Sequence, residues 1–341
     1  MAFLQPVETV IKTKIVPGLT DLYFKNDPLL AFLKRNCLRP WEGPAIQENL
    51  VYGAENTAPY AVGESFNISQ LQTFTGTTFY PKYNYANVTF FLEKIRVEMQ
   101  GAGAAFDYVT AKMENGAASL AAQLAVQLYN NGQSAGRTNY MNGLEEALND
   151  GTNAGWNGSA FTSYGTVARS AVGSAMNSPM TGPTANMAAG AMTYPVLEQA
   201  FNSVCIGSEF PDLIVTTNNG MSYIKMVFQP QQRFESTMGD FGFQGVKFNG
   251  SVILQSQYAP GAGGANDPIL GNYLYSTGET LWFLNTKYLR LYVATDELFG
   301  FGWTGFKPAQ DSNTVASQLL VSCNLTCPGP RYSRYLFNFA S

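Results

Sequence analysis

The sequence predicts an α+β fold in which one long helix packs against several long strands. Apolar residues recur at spacings of three or four from Phe106 to Leu128, which indicates a continuous amphipathic helix. The last third of the chain is instead rich in β-branched and aromatic runs such as "TVASQLLVSCNLTC". Because the helices lie in one block and do not alternate with strands, the pattern favours α+β over a repeating βαβ fold.

The composition is unusually poor in charge. Charged residues make up 13% of the 341 residues, and the formal net charge is −4, whereas soluble domains average roughly 25% charged residues. A monomer uses surface charge to stay soluble and unassociated. The sequence therefore predicts a surface that is largely covered by partners. An acidic chain also gives no support for a dedicated nucleic-acid-binding protein.

The chain contains no histidine, which excludes His-based triads, His general bases and His-containing zinc sites. Its four cysteines are Cys37, Cys205, Cys323 and Cys327. If the last two lie four apart on a strand, they are about 13 Å apart, beyond disulfide reach. We therefore expect four reduced, mostly buried thiols, a cytosolic compartment, and neither a metal nor a cofactor.

The beginning of the chain shows no basic segment followed by an apolar one, and we expect no signal peptide. No apolar run reaches 18 residues, so no transmembrane helix is expected either.

The first predicted helix spans residues 28 to 38 and begins at Pro28, and an extended segment follows it. Residues 57–82 are polar and rich in Gly and Thr, with Glu64 and Lys82 as the only charged side chains. The alternation in "SFNISQLQTF" and then in "TGTTFYPKYNYANVTF" predicts a long β-hairpin with its tip near Gly76.

The second limb of this hairpin carries apolar side chains on both faces. One face would present Phe79, Tyr83, Tyr85 and Phe91, and the other Tyr80, Ala86, Val88, Phe90 and Leu92. Pro81 lacks an N–H group and therefore indicates an edge strand. An edge strand with two apolar faces needs cover that its own chain does not obviously supply.

The long helix is predicted from Ala105 to Tyr129, about 37 Å at 1.5 Å per residue, and "NNG" supplies its end. A second, shorter helix is predicted over Asn142 to Gly151. Its Glu145 and Glu146 are adjacent and so point in different directions, and we expect both on a solvated helix face, not in a paired-carboxylate site.

Residues 151–193 carry a single charge, Arg169, and are predicted to be irregular chain packed against another part of the protein. A helix from Pro195 and a buried strand in "PDLIVTT" follow. Further strands are predicted in "VKFNGSVILQSQYAPG" and in "ETLWFLNTKYLRLYVAT", the latter as one unusually long strand.

No motif indicates catalysis. "GFGWTG", Gly300 to Gly305, has the spacing of a dinucleotide-binding motif, but Pro308 blocks the helix that should follow, so we predict a glycine-rich turn. Glu93 and Glu98 have no third group to orient them as an acid and a base. A weak basic cluster (Lys12, Lys14, Lys34 and Arg35) is interpreted as a solvated face.

The final third resembles the C-terminal half of tailed-bacteriophage major capsid proteins. The resemblance rests on "PDLIVTTNNGMSYIKMVFQPQQRF", "GFQGVKFNGSVILQSQYAPG", "WFLNTKYLRLYV" and "QLLVSCNLTC" in that order. Upstream, "PLLAFLKRN", the long hairpin, a helix ending in "LYNNG", "GLEEALNDG" and "YGTVARS" also follow the family's order. The resemblance covers nearly the whole chain from about residue 28.

This resemblance implies a shell fold with four parts. An N-terminal arm would comprise residues 1–55, and an extended loop residues 56–98. A peripheral domain would comprise residues 99–150 and 280–328 and contain the 105–129 helix. An axial domain, residues 151–279 and 329–341, would meet its copies around a five-fold or six-fold axis.

The resemblance also implies a function: a major capsid protein that assembles in the host cytoplasm into an icosahedral shell of pentamers and hexamers. The virion would enclose double-stranded DNA through non-specific contacts, with scaffolding, portal and cement proteins as further partners and no membrane. The residues expected at contacts between subunits are Phe74, Phe79, Tyr80, Lys82, Tyr83 and Trp303.

One variant of the family joins a loop lysine to an asparagine of a neighbour, helped by a glutamate. Lys82 is the only lysine of residues 57–82, but nothing in the sequence marks its partner, so non-covalent cohesion is favoured. Two alternatives to a phage capsid remain, beside an enzyme, for which no constellation of residues gives support. One is an encapsulin, which has the same fold around an enzyme cargo, and the other is an outer-membrane β-barrel, which the long helix and the expected lack of a signal peptide disfavour.

Overall fold

The computed structural model describes residues 27–93, 102–179, 190–228, 236–238, 244–261, 265–266, 273–274, 278–309 and 313–340. The predicted N-terminal arm before residue 27, including Lys12 and Lys14, lies outside these residues, as does Glu98.

Six α-helices occur in this part of the chain: α1 (Pro28–Asn36), α2 (Ala102–Tyr129), α3 (Leu144–Ala147), α4 (Arg169–Val172), α5 (Tyr194–Asn202) and α6 (Asn218–Phe228). Short 3₁₀ turns lie at Gly173–Met176, Thr286–Tyr288 and Pro330–Tyr332.

The strands form a six-stranded sheet, a seven-stranded sheet and three short two-stranded ladders. In chain order they are β1 (Leu38–Trp41), β2 (Ile46–Val51), β3 (Phe74–Phe79), β4 (Lys82–Phe91), β5 (Ser163–Tyr164), β6 (Val167–Ala168), β7 (Gly190–Ala191), β8 (Leu213–Thr216), β9 (Ser236–Met238), β10 (Gln244–Phe248), β11 (Ser251–Gln255), β12 (Ala265–Asn266), β13 (Tyr273–Leu274), β14 (Glu279–Leu284), β15 (Arg290–Ala294), β16 (Gly300–Trp303), β17 (Lys307–Pro308), β18 (Thr314–Thr326) and β19 (Arg334–Ala340).

The long strand β18 organises the six-stranded sheet. β4 pairs antiparallel along one side of it, while β15, β16 and β17 pair along the other, and β1 lies parallel to β15. Helix α2 packs against the inner face of β4 and β18. A Cβ atom on Gly116 would lie 2.6 Å from Cγ2 of Val88, so only glycine allows helix and strand to approach this closely.

The seven-stranded sheet has the order β7-β19-β14-β8-β11-β10-β9. Helices α5 and α6 cover one of its faces, where Phe201, Phe228 and Phe248 pack together. The other face joins the main core, and there Trp282 lies against Tyr129 at the end of α2. Helix α2 therefore contributes to the packing of both sheets.

Several predictions from the sequence are confirmed. The long helix ends at Tyr129 as predicted, and its predicted stripe is buried at Val109, Met113, Ala117, Leu120, Leu124 and Leu128. The helices at Pro28 and Pro195 and the strands β8, β10, β11 and β18 are also present. All four cysteines are free, and burial raises the pKa of Cys37, Cys323 and Cys327 to about 12.

The predicted strand "ETLWFLNTKYLRLYVAT" is wrong as a single element. A 3₁₀ turn at Thr286–Tyr288 divides it into β14 and β15, which belong to different sheets. The Asn285 side chain caps this turn by accepting a hydrogen bond from the Lys287 N–H (3.2 Å). An asparagine side chain can take up backbone N–H groups that would otherwise pair in a sheet. The strand can therefore be interrupted at Asn285 although the residues on either side have strong β-propensity.

Three other predictions need correction. The helix predicted over Asn142 to Gly151 is the single turn α3. "GFGWTG" is largely the strand β16 and not a turn, with Phe301 at φ 66°. Helix α6 was not predicted, because "NNGMSYIKMVF" opens with residues typical of turns.

The predicted hairpin with its tip near Gly76 is also wrong. Its expected limbs do not pair with each other: β3 pairs antiparallel with β2, and β4 pairs with β18. In β2 the alternate side chains Ile46, Glu48 and Leu50 are buried. The strand that pairs with β3 therefore comes from residues predicted to belong to the N-terminal arm. Residues 52–73 form the loop between β2 and β3.

A candidate assembly surface

The root of the extended loop, formed by β2 and β3, is fastened to the six-stranded sheet through Glu48. This buried carboxylate pairs with Arg290 of β15 (2.5 Å) and accepts a hydrogen bond from the hydroxyl group of Thr326 in β18 (2.9 Å). Ion pairs constrain geometry strongly when one partner is buried, because a buried charge without a partner is costly. The root therefore has a fixed position on its own subunit.

A second contact holds the other strand of the root. The ring of Phe79 packs edge-to-face against Tyr164, with the ring centroids 4.9 Å apart. The Thr77 hydroxyl donates to the Tyr164 carbonyl (3.2 Å), and the Thr78 N–H donates to the Thr166 hydroxyl (3.1 Å). Gly165, at φ 59°, leaves room for this approach, since a Cβ there would lie 2.2 Å from the Thr77 hydroxyl oxygen.

Phe79 is consequently buried by its own chain, with 2% of its surface exposed. The prediction that a neighbouring subunit covers this ring is wrong. The error follows from the predicted hairpin, which placed Phe79 near the free end of the loop, whereas the structure places it at the root.

The remainder of the loop exposes apolar side chains. They are Tyr60, Val62, Phe66, Ile68 and Leu71. The rings of Tyr60 and Phe66 pack on each other at 4.9 Å, and Asn56 donates a hydrogen bond to the Ser69 carbonyl across the loop (2.7 Å). The two limbs are thus held together while their apolar side chains face outward.

Strand β4 adds a second set of exposed apolar side chains. Asn84, Val88 and Phe90 face α2 and are buried, whereas Tyr83, Tyr85 and Phe91 project from the outer face of the sheet. Tyr83 packs on Phe299 with 5.9 Å between ring centroids. One face of this predicted edge strand is therefore covered by α2, and the other carries uncovered aromatic rings.

The other predicted contact residues divide into two groups. Phe74, Tyr80 and Tyr83 are exposed, each with 60% or more of its surface accessible. Lys82 donates to the Thr138 carbonyl of its own chain (2.5 Å). Trp303 lies on the inner side of the sheet, where its ring packs on Phe306 at 5.2 Å and its indole N–H donates to Ser317.

Glu145 and Glu146 contradict the prediction of a solvated helix face, because both are fully buried. Glu145 accepts hydrogen bonds from the Asn131 side chain (2.7 Å) and the Asn157 N–H (3.2 Å). Glu146 accepts from Gln133 (2.8 Å) and Asn142 (2.9 Å) side chains. Amide groups around α3 therefore donate the hydrogen bonds that water would provide on the predicted solvated face.

Burial is the main cause of the shifted pKa values of Glu145 and Glu146. It raises the pKa of Glu145 to about 7 and raises the pKa of Glu146. Arg169 is also buried, and its guanidinium group donates to the backbone carbonyls of Glu146 (2.5 Å) and Ala147 (3.3 Å). The cluster fastens residues 142–177 to the end of α2. The sequence signal for this buried cluster is the pair of adjacent glutamates close in sequence to the amide residues Asn131, Gln133 and Asn142.

Within the described ranges, no group of three or more Cys, Asp or Glu side chains is placed to hold a metal ion. No helix in the described part of the chain is long and apolar enough to cross a membrane.

Solved structures of shell proteins have folds similar to that of this chain. The capsid asymmetric unit of cyanophage A-1(L) superposes with a TM-score of 0.66 at 13% identity, covering 91% of this chain and 93% of that one. The holo-SrpI encapsulin of Synechococcus elongatus PCC 7942 gives 0.55 at 10% identity, with coverage of 90% and 87%. The capsid of an empty GTA particle gives 0.53 at 12% identity, with coverage of 91% and 96%.

No protein-family model matches the sequence, and no curated protein matches it either. The likeness is therefore one of fold, and it extends over about nine-tenths of each chain compared.

Proposed function

We propose that this chain, which has the fold of tailed-phage capsid proteins, is the major capsid protein of a tailed double-stranded-DNA bacteriophage. Copies of it would associate as pentamers and hexamers in an icosahedral shell around the genome. Assembly would take place in the host cytoplasm, with scaffolding, portal and cement proteins as further partners.

The observation that carries this proposal is the contrast between the two parts of the extended loop. The root is fixed to its own subunit by Glu48 and Phe79, whereas the distal part projects apolar side chains such as Phe66 and Ile68 into solvent. The exposed apolar side chains of the loop do not stabilise a monomer. Exposed apolar surface of this kind marks protein–protein contact. In a shell, a neighbouring copy would bury it.

The layered fold suits this role. We assign the six-stranded sheet with α2 to a peripheral domain and the seven-stranded sheet with α5 and α6 to an axial domain. This assignment moves β14 (Glu279–Leu284) from the peripheral domain implied by the resemblance to the axial domain, because β14 is a strand of the seven-stranded sheet. The low charge of the chain supports extensive contact between copies, because charged side chains are depleted at the centre of interfaces. No catalytic role is assigned. The proposal requires only non-covalent association, and Lys82 already has a hydrogen-bond partner in its own chain.

An encapsulin-like compartment is the second candidate, favoured by the TM-score of 0.55 with the holo-SrpI encapsulin. The two functions differ in what the shell encloses. Particles isolated from the natural source should contain double-stranded DNA if the chain is a phage capsid protein, and a protein cargo if it is an encapsulin. Nuclease-protected DNA of genome length would support the first function, and DNA-free particles with a co-purifying enzyme would overturn it.

A further inference from the structure

We propose that the buried pair Glu145 and Glu146, by binding and releasing a proton, controls how firmly the root of the extended loop is held on its own subunit. With the proton bound, the root is fixed as the structure shows it. With the proton released, the chain around the pair opens and the root is freed. This inference concerns the subunit itself and goes beyond the proposed function.

The pair lies where the end of α2 meets the chain that leads to β5. Glu145 accepts hydrogen bonds from the Asn131 side chain (2.7 Å), just beyond α2, and from the Asn157 N–H (3.2 Å). A Cβ atom on Gly155 would lie 3.3 Å from Oε1 of Glu145 and 2.5 Å from the hydroxyl oxygen of Tyr335. Because Tyr335 belongs to β19, a change at Glu145 acts on α2, on the chain before β5 and on the seven-stranded sheet together.

A continuous chain of contacts leads from the pair to the loop root. The side-chain nitrogen of Gln133 donates to Glu146 (2.8 Å) and also to the Ser163 carbonyl in β5 (3.0 Å). The next residue, Tyr164, holds the root, because its ring packs on Phe79 of β3. Movement of the carboxylates therefore reaches the root through one amide side chain and one short strand.

Arg169 forms a second link between the pair and the root. Its guanidinium group donates to the Glu146 carbonyl (2.5 Å) and lies over the ring of Tyr164, 5.3 Å from the centroid. The other cation that faces the pair, Arg137, donates to the side-chain oxygen of Asn130 (2.7 Å). In the described part of the chain, neither cation forms an ion pair with the two carboxyl groups.

The other titratable groups around the pair do not compensate its charge. Asp150 carries a charge of the same sign. Burial raises the pKa of Tyr164, Tyr335 and Cys327, so these groups stay neutral near pH 7. A buried carboxylate without a cation is costly, and its ionisation therefore favours an arrangement that admits water.

The proton equilibrium of Glu145 sets the direction of the response. Its pKa is about 7 in the folded protein and ordinarily 4.5, so the closed arrangement binds the proton more tightly than an opened, hydrated one. The advantage of the closed arrangement is complete below pH 4.5 and is lost as the pH rises through 7. The pKa of Glu146 is raised by burial as well, which acts in the same direction.

Hydrogen–deuterium exchange of the whole chain tests this inference, analysed as protection factors so that the intrinsic pH dependence of exchange is divided out. If opening restores the ordinary pKa of Glu145, protection of β3, β5 and β6 should fall about 30-fold between pH 5.5 and pH 8.5. Strands β10 and β11, in the seven-stranded sheet, are the internal reference and should change little. Glu145→Gln should largely remove the fall, and the exposed Glu93→Gln should retain it.

Equal protection of β3, β5 and β6 at the two pH values in the parent protein would overturn the inference. A fall of the same size in Glu145→Gln would also overturn it, as would a fall that extends equally to β10 and β11, since that shows global unfolding. If Glu145→Gln does not fold, the comparison of these strands within the parent protein decides. Each of these outcomes leaves the shell function standing, because the measurement does not depend on assembly.

Discussion

The ring of Phe79 packs edge-to-face on the ring of Tyr164, 4.9 Å between centroids, and so fixes the last residue of β3 to the short hairpin formed by β5 and β6. This contact separates the extended loop into a root that belongs to the subunit and a distal part that does not.

Phe79 and Phe74 lie at the two ends of β3 and should respond differently to truncation. Phe79→Ala removes a buried ring and should lower the free energy of unfolding by about 3–5 kcal/mol. Phe74→Ala removes an exposed ring, should leave the melting temperature nearly unchanged, and should weaken assembly. Thermal unfolding and sedimentation of both variants check this. Equal loss of stability in the two variants would contradict the division of the loop into a root that is part of the subunit and a distal part that is not.

The ion pair between Glu48 and Arg290 should stabilise the fold. Arg290→Met leaves the buried Glu48 carboxylate without its cation, which costs about 3–5 kcal/mol at fully buried sites. Because Arg290 is partly exposed, we expect roughly 2 kcal/mol. Arg39→Met, on the neighbouring strand β1 and exposed, serves as the control and should have little effect. Denaturant unfolding that ranks the two variants in the opposite order would contradict this role of Glu48.

The buried Glu145 should make stability fall as the pH rises. Its pKa is about 7 in the folded protein, above the ordinary value of 4.5, so the folded state holds the proton more tightly than the unfolded chain. The stabilisation from this group is complete below pH 4.5 and is lost as the pH rises through 7. Glu145→Gln, which stays neutral, should therefore gain stability relative to the parent between pH 5 and pH 8.

Denaturant unfolding of the two proteins across this pH range checks the prediction, with the exposed Glu93→Gln as a control. A Glu145→Gln difference that does not change with pH would show that the carboxyl group is ionised normally. Glu146, Arg137 and Arg169 lie around the same site and remain in both proteins, so the comparison isolates Glu145.

Two loop replacements should separate folding from assembly. Replacing residues 57–71 with a short Gly/Ser linker removes the exposed apolar side chains and keeps β2, β3 and Phe79, so the subunit should fold and fail to assemble. Replacing residues 69–82 removes β3 and should destabilise the subunit itself. Circular dichroism and sedimentation on the same samples distinguish the outcomes. Normal shells from the 57–71 replacement would show that the loop does not join subunits.

The long helix and the β-rich final third were predictable because their patterns are local. Met113, Ala117, Leu120 and Leu124 form a stripe with helical spacing whatever they pack against. The alternation in β18 is similarly independent of its partners. These two elements are enough to indicate an α+β fold, whereas the shell fold was implied by the resemblance to tailed-phage capsid proteins.

The pairing of β3 could not be predicted from the same patterns. Both β2 and β4 offer it an alternating apolar face, and the choice depends on Glu48, Arg290 and Tyr164, which are distant in sequence. Glu145 and Glu146 are a similar case, since charged residues are almost never fully buried without partners and their amide partners come from other segments. Exposed candidates such as Phe74, Tyr80 and Tyr83 were identified because they lie on an edge strand or beside one.

The most direct test of the central claim is electron cryomicroscopy of the purified chain, expressed alone and together with the genes that flank its own. The proposal predicts closed icosahedral shells built of rings of five and six copies, with residues 52–73 of each copy lying on a neighbouring subunit. A chain that stays monomeric at high concentration under both conditions, with the loop uncovered, would contradict it.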